Sequence, residues 1–202
     1  PITIAFLTYA SDLKKQVRNA KKVGHEIIVH MAMESERENV DPGPNVLLTK
    51  NDSKKILNEL RWGLNRFNGY VGINNHMGSR FTSDPKGMGI VMRELKRRGL
   101  LFLDSRTSRN TIGASVALAY DVPYAQRDFF LDNDASLKAV KKQLQKVESF
   151  AKKNGYAVAI GHPKDATLKA LSEWLKTLKG RGFAQVPISQ LVKYQTSSFS
   201  NN

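Results

Sequence analysis

The chain has 202 residues, no cysteine and a net charge of +14, from 32 Lys and Arg against 18 Asp and Glu. With 41% hydrophobic and 25% charged residues it is composed like an ordinary globular domain and not like a disordered, fibrous or disulfide-stapled chain. No run approaches the roughly 20 apolar residues of a membrane span.

Ile2 to Leu7 is a β-branched run that predicts a first strand, and Leu13, Val17, Ala20 and Val23 mark one face of a helix that Gly24 stops. Glu26 to His30 reads as the second strand. After a loop holding Asp41-Pro42-Gly43-Pro44, Ile56, Leu60, Leu64 and Phe67 form the buried stripe of the next helix. Tyr70 to Asn74 is the third strand, followed by a helix lined by Met88, Val91, Met92 and Leu95. Leu100 to Asp104 is the fourth, before a helix around Ile112 to Tyr120. Gln126 to Leu131 predicts a fifth strand and Leu137, Val140, Leu144, Val147 and Ala151 a long helix. Tyr156 to Ile160 is the sixth, then comes a helix with Leu168, Leu171 and Leu175, and Phe183 to Ile188 is the seventh.

Strand and helix alternating in this way imply an α/β fold of parallel strands with right-handed crossovers. No glycine-rich phosphate loop follows the first strand, so a dinucleotide-binding sheet is not expected. The expectation is a (β/α) barrel with seven visible strands, forming a single domain over residues 1–202. The chain starts at Pro1 inside an apolar segment with no basic leader, and reads as a mature or trimmed polypeptide.

The positive charge makes acidic polymers natural partners, but the cations are dispersed over helix faces, as at Lys14, Lys15, Lys21 and Lys22 or Lys141, Lys142 and Lys146. No helix-turn-helix, zinc finger or aromatic platform accompanies them, so specific nucleic-acid recognition is not expected.

In such a barrel, polar residues at the carboxyl ends of strands read as catalytic and those at the opposite ends as structural. That rule sorts the four histidines. His25 opens the second strand and reads as structural. His30 closes the same strand, on the face of Glu26 and Ile28. His76 follows the third strand in a loop with Asn74, Asn75 and Gly78, where glycine lets the backbone approach a bound group. His162 closes the sixth. With Asp104, Ser105 and Arg106 after the fourth strand and Asp128 and Asp132 flanking the end of the fifth, these side chains are expected to converge on one rim. Without cysteine a metal must be held by His, Asp, Glu or water, and imidazoles suit zinc or a related divalent ion. Glu34, four residues after His30, is a further ligand candidate or part of a solvated acidic segment. Arg80 is placed to bind a substrate oxyanion or to pair with Asp84.

Gly24-His25-Glu26 followed by His30 resembles the second motif of the polysaccharide deacetylase superfamily. Its divergent branch is resembled by His30-Met31-Ala32-Met33-Glu34, by Gly72 to Thr82 with Asn74-Asn75-His76-Met77-Gly78, by Leu103-Asp104-Ser105-Arg106-Thr107, by Arg127 to Asn133, and by Ile160-Gly161-His162-Pro163. The resemblance covers nearly the whole chain. It implies a barrel of the glycoside hydrolase and deacetylase type, exported to the periplasm or otherwise beyond the cytoplasm of a bacterium. It implies metal-dependent deacetylation or ester hydrolysis of an acetylated cell-envelope polysaccharide, such as a peptidoglycan-type substrate. By the same resemblance His30 is a metal ligand, His76 replaces the family's second metal histidine, and His162 is the catalytic acid. From their places on the rim, Asp104 is expected to orient or charge-tune His162, Asn75, Arg80 and Ser105 to bind substrate, and Arg106 to bind substrate or buttress the rim. The family's paired aspartates lie on a strand before the segment matching Pro1 to Leu7, so the first barrel strand is expected to be missing from these 202 residues. A non-catalytic scaffold that binds glycan or protein is the alternative.

Overall fold

The computed structural model describes the backbone of residues 1–199 and the side chains of residues 1–195. The chain divides into two compact units: residues 1–125 together with 186 onward, and residues 126–185. Seven strands occur among the described residues: β1 Thr3–Leu7, β2 Glu26–Met33, β3 Gly72–Met77, β4 Leu101–Asp104, β5 Tyr124–Gln126, β6 Phe129–Phe130 and β7 Ala159–Ile160. The seven helices are α1 Leu13–Lys22, α2 Ser53–Leu64, α3 Pro85–Arg98, α4 Gly113–Ala119, α5 Leu137–Asn154, α6 Asp165–Leu178 and α7 Ile188–Phe199.

The first unit is built on a sheet of order β1-β2-β3-β4-β5, with β1, β2, β3 and β4 mutually parallel. Each strand is added beside its predecessor without the reversal of a doubly wound sheet. The expected barrel does not close: β6 and β7 form a separate two-stranded parallel sheet. Alternation divides the five-stranded sheet into two faces. Ile4 and Phe6, Ile27, Val29, Met31 and Met33, Ile73, and Phe102 join the core with Leu13 and Val17 of α1, Ile56 and Leu60 of α2, and Met88 and Met92 of α3. Each such buried side chain contributes about 1.5–3 kcal/mol. The opposite face carries Leu7, His30, Asn74 and Leu103 in one row across four strands, with His76 opposite Ala32 in the next.

The helices start and stop for local reasons. Asp52, Asp84 and Ser136 cap α2, α3 and α5 through their side chains, each satisfying a first-turn N–H. Gly99 and Gly155, in the left-handed region, end α3 and α5. Glu94 of α3, 3% exposed, takes hydrogen bonds from Arg61 of α2 and from Arg97 and Arg98. The Arg97 bond leads in holding its carboxyl far below the usual range, against the cost of burial.

Four sequence expectations are corrected. The single strand expected over 126–131 is two, because the Asp128 carboxylate accepts the Val158 N–H at 2.7 Å and Asp128 N–H donates to Val158 O; β6 then pairs with β7 and not with β4. No strand forms over 183–188. Pro187 lacks a ladder donor, its carbonyl instead accepts from Gln190 and Leu191 as α7 begins, and Ile188 N–H donates to Thr3 Oγ1. On α6 the buried residues are Thr167, Ala170 and Leu178, whereas Leu168 and Leu175 are exposed. Val23 is also exposed, because α1 ends at Lys22 and leaves it beyond the last turn.

Candidate functional site

The first unit gathers its polar residues where β2, β3 and β4 end. His30 and Asn74 are partners in the β2–β3 register, and His76 lies one pleat farther along the same face of β3. His30 Nδ1 is 2.9 Å from Asn74 Oδ1, and His76 Nδ1 is 3.1 Å from His30 Nε2. The two rings meet edge to face, with centroids 4.8 Å apart. Asn74 Nδ2 donates to Ser105 Oγ at 3.2 Å, and Ser105 Oγ donates to Asn75 O at 2.9 Å. A row, Ser105–Asn74–His30–His76, buried at Ser105 and Asn74 and half-buried at the two rings, therefore runs from the end of β4 across β3 to β2. Asn74 and Ser105 are 2% and 3% exposed, so the row is formed where an unmade hydrogen bond costs about 1–3 kcal/mol.

This row tests whether the two histidines fit a metal. Two nitrogens bound to one tetrahedral zinc at about 2.0–2.1 Å lie about 3.3 Å apart, close to the 3.1 Å between His30 Nε2 and His76 Nδ1. Asn74 holds the remaining nitrogen of His30, as an orienting partner does at metal-binding histidines. The pair thus fits as two donors. Among the described residues no group of three His, Asp or Glu side chains gathers to make a complete set.

The neighbouring predicted residues have mainly local partners. Asn75 ties strand ends together, accepting from Ser105 N–H and donating to Met77 O and Thr107 Oγ1. Asp104, fully buried, lies on the core face of β4 beside Phe102; its carboxylate accepts from Arg106 N–H at 2.7 Å and from Thr111 Oγ1 at 2.7 Å. Those bonds hold Arg106, exposed and at φ 47°, at the start of the loop after β4. Arg80 pairs with Glu34 at 3.6 Å. Asp84 is occupied as the cap of α3. Glu34 also accepts from Thr49 N–H and Oγ1, which anchors the long loop after β2. Gly78 provides a close approach to protein: a Cβ there would lie 2.9 Å from Met33 Cβ. His25 Nδ1 accepts the Ile2 N–H at the opposite end of the strands.

The second unit has its own imidazole. The β6–β7 register pairs Phe129 with Ala159 and Phe130 with Ile160, and carried two residues on it sets Asp132 against His162. Asp132 Oδ1 is 3.0 Å from His162 Nδ1, while Oδ2 accepts from His162 N–H at 2.7 Å and from Thr167 Oγ1 at 3.0 Å. Burial by itself would raise the Asp132 carboxyl, but the His162 ring and backbone bonds and the Thr167 bond outweigh it and hold the group below its ordinary value. The His162 side chain is 58% exposed, so a fixed carboxylate orients a ring whose far edge meets solvent. Phe130 stacks against that ring at 6.4 Å and 15°, and the Arg127 guanidinium lies 3.8 Å from the Phe130 centroid.

The sequence placed Asn74 and Asp132 at strand ends but did not assign either one to orienting an imidazole, as they do here. The signal for Asp132 was its place two residues after Phe130, matching that of His162 after Ile160. For Asn74 it was the even parity shared with His76.

The fold and these clusters define a parallel α/β protein with imidazoles at strand carboxyl ends in each of its two units. Comparison with known proteins gives the family. The chain belongs to the divergent polysaccharide deacetylases, whose family model matches residues 1–192. It is 33% identical over 177 residues to YibQ of Escherichia coli K12, an uncharacterized protein, covering 88% of this chain and 55% of that one. An uncharacterized Haemophilus influenzae Rd protein is 31% identical over 179 residues, covering 88% and 63%. The chain thus spans little more than half of these two relatives. The crystal structure of the uncharacterized protein ATU2773 from Agrobacterium tumefaciens C58 superposes with a TM-score of 0.91 at 29% identity, covering 94% of this chain and 77% of that one.

Proposed function

We propose that the protein is a metal-dependent deacetylase or esterase acting on an N- or O-acetylated cell-envelope saccharide in the periplasm or another extracytoplasmic space. The observation that carries this reading is the pair of strand-end imidazoles with facing nitrogens 3.1 Å apart, one ring held from behind by a buried amide. Membership of a family of polysaccharide deacetylases supports a saccharide substrate. His30 and His76 would hold a divalent ion, zinc by the nature of the donors. Such an ion supplies Lewis acidity to an acyl carbonyl and acidifies bound water.

The remaining roles fall to the chain's own side chains. His162, with Nδ1 directed at Asp132, carries the proton delivered to the leaving amine or alcohol from Nε2. Asp132 positions it. Arg80 and Arg106, exposed after β3 and β4, meet polar groups of the saccharide, while Asn75, Ser105 and Asp104 hold the strand ends from which they project.

Elemental analysis and calorimetry with zinc, together with acetate release from acetylated chito-oligosaccharides, test this reading. The expected result is one metal per chain, lost in His30→Ala and His76→Ala, with acetate released only by the loaded wild type. A wild-type protein that takes up no stoichiometric metal overturns it. Such an outcome would favour a non-catalytic glycan- or protein-binding domain, a second reading supported by the two-donor set among the described residues. Glycan binding that persists in a chelator without acetate release would establish that alternative.

A further inference from the structure

The direction of each hydrogen bond in this row of the first unit can be worked out from its chemistry. Ser105 Oγ lies 2.9 Å from the Asn75 carbonyl, which can only accept, so the single hydroxyl proton points there. Toward Asn74 the hydroxyl must then accept, and the Asn74 atom at 3.2 Å is the amide nitrogen. This fixes the amide, whose oxygen faces His30 Nδ1 at 2.9 Å. A carbonyl oxygen needs a donor, so Nδ1 of His30 carries the hydrogen. In the neutral ring the lone pair then sits on Nε2, on the edge facing His76.

We infer that Ser105 and Asn74 act as a tautomer lock: they set His30 in its Nδ1–H form, so that Nε2 keeps its lone pair on the site side, accepting from His76 Nδ1–H until a ligand displaces that proton. Neither residue touches substrate or metal in this role; both are positioning residues. The inference builds on the proposed metal site, but the lock itself is a property of the protein alone.

Several observations support a lock over incidental packing. Asn74 and Ser105 are nearly fully buried, so the amide is kept from exchanging its partners for water. Ser105 is fixed a second time, since its backbone N–H donates to Asn75 Oδ1 at 2.8 Å. The register that sets His30 opposite Asn74 continues to Met33 opposite Met77. The His30–Asn74 bond is thus built into the sheet and does not depend on a mobile loop. A neutral amide also gives the ring a directional partner without adding charge beside the nitrogen that receives a cation.

Long-range proton–nitrogen correlation spectra of protein labelled with 15N-histidine test the lock directly at a pH of about 8.5 and without metal. The chain has four histidines, so His→Gln substitutions assign each ring. Wild-type His30 should show a protonated Nδ1 and an unprotonated Nε2. Asn74→Leu should convert it to a mixture or to the Nε2–H form, and Asn74→Asp, which keeps an acceptor oxygen, should restore Nδ1–H. Ser105→Ala frees the amide to flip and should give a partial shift in a protein with almost unchanged packing. Zinc affinity should fall by about 10- to 100-fold in Asn74→Leu and less in Ser105→Ala.

An Nε2–H wild-type ring overturns the lock, as does an Asn74→Leu variant, or a Ser105→Ala variant if the former fails to fold, whose His30 tautomer matches wild type. If the tautomers shift as described but wild type takes up no zinc, the lock stands and the metal reading fails.

Discussion

The two units solve the problem of orienting an imidazole with different partners. In the first, a neutral amide two hydrogen bonds away from a main-chain carbonyl holds His30. In the second, a buried carboxylate holds His162 with one oxygen and that residue's own backbone N–H with the other. An amide partner fixes direction and leaves the ring uncharged, which suits a ligand. A carboxylate fixes direction and also balances a positive ring, which suits a group that passes a proton on. Catalytic histidines paired with a buried carboxylate follow the same logic on unrelated folds.

The largest effect should come from removing the carboxylate. Asp132→Ala leaves His162 N–H and Thr167 Oγ1 without their acceptor, and urea denaturation should show a loss of about 3 kcal/mol. An unchanged unfolding midpoint would break the contrast, because Asp132 would then not be holding its unit together. His162→Ala should separate function from stability. With that side chain more than half exposed, unfolding should shift by less than about 0.5 kcal/mol while acetate release falls by about 100-fold or more. Unchanged turnover would end the role of His162 as acid.

A third effect is set by pH. The Asp132 pKa is lowered in the folded protein, so its contribution is fully present above the unfolded value of about 3.9 and is lost as pH falls through the lower folded value. Acid unfolding below about pH 4 should therefore be less steep in Asp132→Asn than in wild type. Identical acid profiles would remove Asp132 from the linkage. Gly113→Ala puts a methyl group 2.5 Å from Asp104 Oδ2 and should cost about 1–2 kcal/mol. A neutral result would show that the Asp104-centred loop can move. The smallest effect is expected at Leu168→Gln, within about 0.5 kcal/mol by thermal denaturation, since that side chain is 53% exposed.

That last residue marks where the sequence was hardest to read. Leu168, Leu171 and Leu175 have helical spacing, but the face of α6 that is buried is set by Thr167, Ala170 and Leu178. Hydrophobicity orders residues by their tendency to be buried, and a small Ala at a close helix contact is invisible to it. The alternation of strand and helix was legible through β4, because short apolar runs end there in obvious turns. Closure of the barrel was not, since it depends on which strand pairs with which. His76 was expected in a loop because Asn-Asn-His has poor strand propensity. The structure continues β3 through Met77, with the polar side chains satisfied by one another across the sheet. Pairing of His162 with Asp132 needed the β6–β7 register, which turns their matching places after Ile160 and Phe130 into a contact.

The start of α7 carries a consequence for how the chain folds. Ile188 N–H reaches Thr3 Oγ1 and Ser189 N–H reaches Glu26 Oε1, contacts separated by 185 and 163 positions. The intervening chain includes the whole of residues 126–185, an insertion in the first unit. On the ribosome, the β1–β2 end must therefore remain uncovered while some 60 further residues are made, and the last helix can seat only afterwards. Seating of α7 in the first unit thus waits on the synthesis of residues 126–185. Vectorial refolding that reports on Glu26 and on Thr167 should see the latter become protected first.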